Sequence, residues 1–303
     1  MAMNLDLVGR EGPARRRSWE PRDCTLYALC VGAGFDELAF VAEHATGHDQ
    51  LVYPSFVCSG GRTVRSPDEA ARPEALEEGI LAYGDYQVHQ VVHGEQELVI
   101  HSPVGPTGDV QSSSRVVGIY DKGSGAVVHV ESATTHTASG DPAFSVSSKF
   151  FVMGEGGFGG DRGPSGPDAV PPDRAPDVSF TWQTLPQQSL LYRHGGNDPN
   201  RIHYDPTVAA AAGFEGPILM GLNTYGFACR GIVQTVCDGD PTALRSIGGR
   251  FASPGYNGDE LSVRCWIGDD VGRTDEGHQV VLFDVVAARG ATLLNRGRAT
   301  VNG

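Results

Sequence analysis

Lysine is nearly absent from this chain of 303 residues, which contains only Lys122 and Lys149. Catalysis through a lysine Schiff base would have to use one of these two residues, which argues against that class of chemistry. The formal net charge of -14 repels phosphate backbones, so we expect no nucleic-acid partner. The one basic run of the sequence, Arg15 to Arg17, is interpreted as a solvated arm.

Long apolar segments are lacking as well. No segment approaches the roughly 20 consecutive apolar residues of a membrane-spanning helix, and the beginning of the chain lacks the apolar stretch of a secretory signal. We therefore expect a cytoplasmic protein without membrane association. The six cysteines are scattered singly, without the spacing of a zinc site or the density of a disulfide scaffold. The sequence thus predicts buried thiols in a reducing compartment and no metal site.

A segment rich in Gly, Pro and Asp, residues 154–177, divides the chain. Such a composition cannot sustain a helix or a central strand. We therefore predict an N-terminal domain over residues 1–153, a linker over 154–178 and a C-terminal domain over 179–303. Gly154, Gly156 and Gly159 match the glycine pattern of dinucleotide-binding loops. No helix pattern follows them, so we interpret these glycines as part of the linker.

Both halves are predicted to be rich in strands. Period-two alternation and β-rich composition indicate strands at residues 87–92, 97–101, 114–120, 126–131 and 144–152, and then at 189–192, 244–251, 260–267, 279–288 and 292–301. One apolar helix is predicted near the beginning of each half, over residues 21–31 and 219–236, with a short helix over 206–212. Two α+β units of this kind in one chain suggest a duplication.

The stretch from Tyr192 to Cys229 contains the residues that suggest chemistry. Asp198 precedes His203 by five residues, and Gly221 stands at the beginning of the predicted buried helix. Taken alone, Asn-Asp-Pro-Asn is ordinary turn chemistry and a lone histidine is usually a packed or surface residue. The free N–H groups at the beginning of a helix, however, can stabilise an oxyanion. An acid/base pair that faces such a donor is the minimum set for hydrating a carbonyl-conjugated alkene, or for the reverse reaction.

The loop YRHGGNDPNRIHYDP and the AGFEGPILMGL that follows it resemble the signature of the MaoC-like hydratases and dehydratases, most closely the type 2 (R-specific) 2-enoyl-CoA hydratases. The likeness extends over nearly the whole chain through SWEPRDCTLYALCVGAG, HGEQELVIHSPVGPTG, YDKGSGAVV, GEGGFGGDRG and RFASPGYNGDEL. The resemblance implies an α+β double hot dog fold, in which each of two curved antiparallel sheets wraps around one helix. It also implies that the second half catalyses, whereas the first makes room for the acyl chain and part of its carrier.

The resemblance assigns catalytic roles to four residues. Asp198 and His203 would activate the water and exchange protons with the substrate α-carbon, Asn200 would support the hydrogen bonds of the site, and the backbone N–H of Gly221 would donate to the thioester oxygen. The implied hydro-lyase reaction interconverts a trans-2-enoyl thioester and the (3R)-3-hydroxyacyl thioester, as in fatty acid metabolism. It needs no metal and no redox cofactor.

Four further residues match positions that contact the CoA ester in the family. They are His93, Gly94, Lys122 and Phe251. By analogy with the family we also expect a homodimer, and CoA or an acyl carrier protein as the carrier of the acyl group. The end of the chain lacks a peroxisomal address. We therefore expect a free-standing cytoplasmic protein.

The chain departs from the family pattern at two places. Met220 stands where the family usually has a histidine, and the loop is one residue longer, with Arg201 in place of a proline. Two alternatives therefore stay open beside an enoyl-CoA hydratase. One is a dehydratase or a tailoring or cyclising enzyme of a polyketide-type pathway that acts on a carrier-protein thioester. The other is a protein that binds acyl thioesters without catalysis.

Overall fold

The computed structural model describes residues 3–59, 62–63, 83–87, 90–164 and 169–302. The strands in these ranges are, in chain order, β1 (Arg15–Trp19), β2 (Arg62–Thr63), β3 (Val91–Ile100), β4 (Gly108–Asp121), β5 (Gly125–His136), β6 (Pro142–Met153), β7 (Val178–Gln183), β8 (Leu244–Phe251), β9 (Glu260–Trp266), β10 (Gln279–Ala287) and β11 (Thr292–Val301). The α-helices are α1 (Pro21–Cys30), α2 (Leu38–Val41), α3 (Gln188–Gly195), α4 (Pro206–Ala211) and α5 (Gly221–Thr235). None of these helices has the length and apolar character needed to cross a membrane.

The described strands form one antiparallel sheet across both halves of the chain. Their order is β2-β1-β4-β5-β6-β3-β8-β11-β10-β9-β7. The two halves join where β3 pairs with β8, with Leu98 opposite Ile247. Outward from this junction, β3, β6, β5, β4 and β1 follow the same succession as β8, β11, β10, β9 and β7. The sheet therefore has the pseudo-twofold arrangement expected of a duplicated unit.

Helix α5 is enclosed by the sheet of the second half and by the first half. Every residue from Asn223 to Val233 is buried, because the helix contacts strands β7 to β11 on one side and the 3-10 turn Pro54–Cys58 on the other. A helix that is buried all round needs an apolar surface on every face, which explains its low charge. The predicted helices over residues 21–31 and 219–236 are confirmed as α1 and α5, and the short helix over 206–212 as α4.

A buried ion pair also connects the halves. The guanidinium of Arg230 on α5 donates to both carboxylate oxygens of Glu37, with Nη2 to Oε1 at 2.6 Å and Nε to Oε2 at 2.9 Å. The same guanidinium lies over the ring of Trp182, 4.2 Å from its centroid. The two charged side chains are only 3% and 8% exposed. A buried cation is tolerated when a carboxylate and aromatic faces surround it.

Two sequence predictions about secondary structure are wrong. Residues 189–192 belong to helix α3, where Ser189 and Tyr192 are buried three residues apart as on one face of a helix. Residues 91–100 form the single strand β3, which the prediction had divided into 87–92 and 97–101. The apparent break is a β-bulge between His93 and Glu95, since a bulge disturbs the alternation without ending the strand. Of the first predicted segment, residues 88–89 lie outside the described ranges.

The interpretation of Arg15 to Arg17 as a solvated arm is also wrong. These residues begin β1, which pairs with β4. Successive side chains of a strand point to opposite faces, so Arg16 is exposed and donates to Asp109 with Nε at 2.7 Å. Arg17 instead points inward and donates to the carbonyl of Val57 at 2.7 Å. The basic run is therefore part of the sheet.

The glycine-rich segment after β6 folds onto the end of β4. The carboxylate of Asp121 accepts hydrogen bonds from the backbone N–H groups of Gly157 at 2.8 Å, Gly123 at 2.8 Å and Gly159 at 2.7 Å. These hydrogen bonds lower the pKa of Asp121. Two amides of the dinucleotide-like pattern are thus occupied by a side chain of the protein itself, which agrees with its interpretation as linker.

All six cysteines are free thiols. Five of them are buried and Cys58 is partly buried, which confirms the prediction of buried thiols for those five. Burial raises the pKa of Cys24 and of Cys30 to about 12, so these thiols stay protonated at neutral pH.

Candidate active site

The loop between α3 and α5 positions the predicted acid and base. Helix α3 ends at Gly195, and Asn197 then adopts a left-handed conformation with φ of 58°, which asparagine tolerates better than most residues. This reversal turns the chain so that Asp198 precedes a short 3-10 turn, Arg201–His203. His203 is buried, with 9% of its surface exposed. Helix α4 follows, and its N-cap Asp205 accepts hydrogen bonds from the first turn of the helix.

The structure brings Asp198 and His203 together. His203 Nε2 lies 3.8 Å from Asp198 Oδ2, which is too long for a direct hydrogen bond. A single water oxygen placed beside the line between the two atoms could nevertheless form a hydrogen bond with each of them. The second ring nitrogen of His203, Nδ1, lies 3.0 Å from the carbonyl oxygen of Ile218. Because a carbonyl only accepts, Nδ1 of a neutral ring carries the proton and Nε2 presents its lone pair toward Asp198.

Burial controls the charge of His203. It lowers the pKa of the imidazole below its ordinary value, and the carboxylate of Asp198 opposes this shift in part. A neutral imidazole next to an accessible carboxylate provides two proton acceptors at neutral pH. The Asp198 side chain is 32% exposed, so its carboxylate is accessible from outside the protein.

Asn200 organises the turn rather than contacting His203 through its side chain. Its backbone N–H donates to Asp198 Oδ1 at 2.9 Å. Its side-chain oxygen accepts from the N–H of Ile202 at 3.2 Å, which caps the 3-10 turn before His203. Asn200 thus fixes the carboxylate orientation and the position of the turn. The role expected of it, support of the hydrogen bonds of the site, stays a prediction with this geometry as its basis.

Gly221 is the first residue of α5 and follows an unusual N-cap. Met220 occupies the N-cap position and makes no side-chain hydrogen bond to the helix, whereas Ser, Thr, Asp or Asn would accept from the first N–H groups. The N–H groups of the first turn have no intrahelical acceptor. As the first residue of the helix, Gly221 presents an N–H without an intrahelical acceptor whichever residue caps the helix, at the positive end of a helix of 15 residues.

Phe251 and His93 lie against the beginning of α5. A Cβ placed on Gly221 would meet three carbons of the Phe251 ring at 3.3–3.4 Å, so the glycine allows the aromatic ring to approach the backbone closely. The His93 ring contacts Phe251 edge to face at 5.0 Å between centroids. Burial lowers the pKa of His93 to about 4, and its Nε2 is buried without a hydrogen-bond partner. Gly94 follows at the β-bulge of β3.

Lys122 lies away from this group. It belongs to the turn between β4 and β5, where its Nζ donates to the carbonyl of Arg162. Strand β4 is separated from β3 by β6 and β5, which places its backbone about 14 Å from β3 at the usual strand spacing. The structure thus brings Asp198 with His203, and Gly221 with Phe251 and His93. It does not bring Lys122 into contact with either group.

Sequence reasoning missed two contributors to the site. The carbonyl of Ile218 fixes the His203 ring and also accepts from the Ser189 hydroxyl at 3.2 Å. A backbone acceptor has no residue-type signature, so no motif could have revealed it. Tyr192 is the second: its hydroxyl is within 3.0 Å of the Ser59 hydroxyl, and its pKa is raised by burial and by the charge of Asp198.

Within the described residues, no group of three or more His, Cys, Asp or Glu side chains could hold a metal ion.

Comparison with known proteins identifies two family domains in the chain. Residues 18–154 match the MFE-2 hydratase 2 N-terminal domain, and residues 168–287 match the MaoC-like domain. The chain is 39% identical over 272 residues to the enoyl-CoA hydratase ChsH3 of Mycobacterium tuberculosis, which covers 88% of this chain and 90% of that protein. It is 37% identical over 246 residues to a probable enoyl-CoA hydratase 2 of Dictyostelium discoideum, covering 81% and 80%.

Solved structures show the same architecture. A MaoC-like dehydratase from Phytophthora capsici superposes with a TM-score of 0.80 at 26% identity, over 99% of this chain and 98% of that one. A Mycobacterium tuberculosis protein described as a double hot dog fold superposes with a TM-score of 0.57 at 14% identity, over 97% and 96% of the two chains, and supports the fold alone. The expected α+β double hot dog fold is confirmed. The chain belongs to the MaoC-like hydratase and dehydratase family of hydro-lyases, with the two-domain composition of the type 2 enoyl-CoA hydratases.

Proposed function

We propose that the protein adds water reversibly to a trans-2-enoyl-CoA ester and gives the (3R)-3-hydroxyacyl-CoA, with Asp198 and His203 as the catalytic pair. The observation that carries this proposal is the geometry of the pair. A neutral imidazole nitrogen and a carboxylate oxygen lie 3.8 Å apart and can bind the same water molecule. The two enoyl-CoA hydratases to which the chain is similar support the choice of substrate class.

The hydration step needs three groups acting together. One member of the pair accepts a proton from the bound water as its oxygen forms a bond to the substrate β-carbon. The electron pair of the double bond moves toward the thioester carbonyl, and the proton taken from the water passes through the pair to the α-carbon, so that one water adds as OH and H. Because His203 Nδ1 is held by the Ile218 carbonyl, only Nε2 can serve as a base. General acid–base catalysis of this kind contributes about 100-fold to 10,000-fold in rate.

The enolate-like oxygen of the transition state needs a donor. The backbone N–H of Gly221 stands at the beginning of α5 behind the apolar N-cap Met220, where the helix dipole favours negative charge. Met220 replaces the family histidine in this position, and it is buried at 1% exposure. The substitution removes a polar side chain from the helix entrance but leaves the backbone donor in place, so it affects the pocket rather than the acid/base chemistry.

The other parts of the proposal rest on the family. His93, Gly94 and Phe251 line the same region as Gly221 and would contact the thioester end of CoA, whereas Lys122 would act only on a more distant part of the carrier. We propose that the protein uses no metal or redox cofactor, forms a homodimer and is located in the cytoplasm. A carrier-protein thioester as the substrate, and binding without catalysis, are the two competing functions to test.

The test is hydration of a panel of trans-2-enoyl-CoA esters by the purified protein, with chiral analysis of the product. Asp198→Asn and His203→Ala should each lower kcat by about 100-fold or more, and the intact protein should give the (3R) alcohol. Arg201→Ala, which removes an exposed ion pair with Asp205 in the same loop, is the matched control and should retain activity. No turnover of any CoA ester would refute the proposal. Turnover of carrier-protein esters instead would favour the polyketide-type alternative, and binding without any turnover would favour the binding protein.

A further inference from the structure

Arg17 is a cation inside the first half for which no anion is present among the described residues. Its Nη2 donates to the Val57 carbonyl at 2.7 Å, and its guanidinium lies over the rings of Phe144 at 5.6 Å and Trp19 at 6.0 Å. Its Nε is buried without a hydrogen-bond acceptor. In the part of the chain that the structure describes, no carboxylate forms an ion pair with it, whereas Arg16 next to it pairs with Asp109 at the surface.

Among the described residues, the ionisable neighbour that acts on Arg17 does not neutralise it. Burial lowers the pKa of the Arg17 guanidinium, but arginine remains protonated in proteins. The neighbour is Cys58, whose pKa is raised by burial to about 12 although the charge of Arg17 opposes the rise. The thiol is therefore neutral at physiological pH. An uncompensated buried charge is costly for a protein to retain, so a guanidinium that has no carboxylate partner among the described residues would bind an external anion favourably.

The guanidinium is connected to the catalytic loop through a series of neighbouring side chains. The charge of Arg17 acts on the Cys58 thiol, and both residues keep some accessible surface. Next to Cys58, the Ser59 hydroxyl lies 3.0 Å from the Tyr192 hydroxyl. The charges of Asp198 and Cys58 both act on Tyr192. Tyr192 thus lies between the catalytic carboxylate and the Cys58–Arg17 pair.

We propose that Arg17 binds a carboxylate at the end of the acyl chain that is distant from the thioester, so that the preferred substrates are ω-carboxy-2-enoyl-CoA esters. This inference rests on the proposed function, because it places the reacting double bond at Asp198 and His203. A carboxylate is the anion that the N–H groups of a guanidinium recognise in bidentate geometry. An acyl chain that ends in a methyl group would leave the cation without a partner.

The experiment compares trans-2-enoyl-CoA esters of equal length that end in a carboxylate or in a methyl group, over a series of increasing chain lengths. The wild-type protein should show a higher kcat/KM for the carboxylate ester at the length that reaches Arg17. Arg17→Met should reduce that preference by roughly 10-fold to 100-fold, mainly through KM, as expected for the loss of a charge-assisted hydrogen bond. Arg17→Lys, which keeps the charge without the planar fork, should give an intermediate ratio.

Arg16→Met is the matched control, because it removes the same charge from the same strand on the opposite face, and it should keep the wild-type ratio. The inference is overturned if the wild-type protein shows no preference for the carboxylate at any length, a result that stands even if Arg17→Met fails to fold. It is also overturned if Arg17→Met lowers kcat/KM equally for the carboxylate and the methyl esters. If no enoyl-CoA is hydrated, the proposed function fails by itself. Equilibrium binding of ω-carboxyacyl-CoA against acyl-CoA then still decides the role of Arg17.

Discussion

Breaking the ion pair between Glu37 and Arg230 is expected to destabilise the protein strongly, and Glu37→Gln tests this. The substitution keeps the shape of the side chain but leaves the Arg230 charge uncompensated at 3% exposure. Breaking one partner of a buried pair costs about 3–5 kcal/mol, a large part of the roughly 5–15 kcal/mol by which domains are stable. With an unfolding entropy of about 2.1 cal/mol/K per residue over 303 residues, this loss corresponds to a decrease in Tm of about 5–8 °C.

The measurement is thermal unfolding followed by circular dichroism, with a double-mutant cycle. Arg230→Met alone and Glu37→Leu alone should be destabilising as well, whereas the two changes combined should lose less than the sum of the single losses, because no charge remains buried. Arg264→Met is the control: it breaks a pair with Asp284 in which the arginine side chain is 39% exposed, and it should cost about 1 kcal/mol or less. A loss for Glu37→Gln as small as that of Arg264→Met, or additive behaviour in the cycle, would refute the reasoning.

Three further predictions concern the site. The pKa of His203, measured by NMR titration of the ring, should lie below the ordinary 6.5 and fall further in Asp198→Asn, since the carboxylate raises it; a rise would contradict the geometry. Burial lowers the pKa of His93 from 6.5 to about 4 in the folded protein. As the pH falls, the unfolded state therefore binds this proton before the folded state does, and the free energy of unfolding should decrease below pH 6.5. Between pH 7 and pH 5 this contribution is about 2 kcal/mol, which His93→Gln should remove from the denaturant-unfolding curves; an unchanged slope would count against a buried neutral imidazole. Gly221→Ala should lower kcat by up to about 100-fold, because its Cβ would press on the Phe251 ring at 3.3 Å and displace the donor; Phe251→Leu in the same protein should restore part of the rate, and an unaffected kcat would exclude this donor.

The parts of the fold that were predictable are those with a long, regular pattern. Helix α5 carries apolar residues on all faces over eleven buried positions, and strands β9 and β10 alternate between buried and partly exposed residues over most of their length. Short segments gave no such period. Ser189 to Tyr192 offered four residues, too few to distinguish a strand from a helix. The inward direction of Arg17 depends on which residues of β1 face the interior. A run of three identical charged residues has no alternation that could reveal this.

The candidate site was predictable where it depends on side chains close in sequence. Asp198 and His203 share one loop, so their proximity follows from local geometry, and the family resemblance supplied their roles. The contacts that orient them could not be predicted, because they are made by backbone groups. The Ile218 carbonyl fixes the His203 tautomer, and the N–H of Asn200 holds Asp198. Lys122 shows the opposite case, since a match in sequence did not place it near the pair.

The pairing of β3 with β8 explains why a half without the acid/base motif still belongs to the site. Antiparallel partners lie about 4.8 Å apart, so this junction holds the bulge at His93 next to the end of β8. There the His93 ring packs on Phe251, and Phe251 in turn lies against Gly221. The first half therefore supports the entrance of α5 at Gly221, where we propose the backbone donor, through one aromatic contact. A change in the bulge of β3 should consequently be felt at the helix entrance, whereas the catalytic loop itself needs no counterpart in the first half.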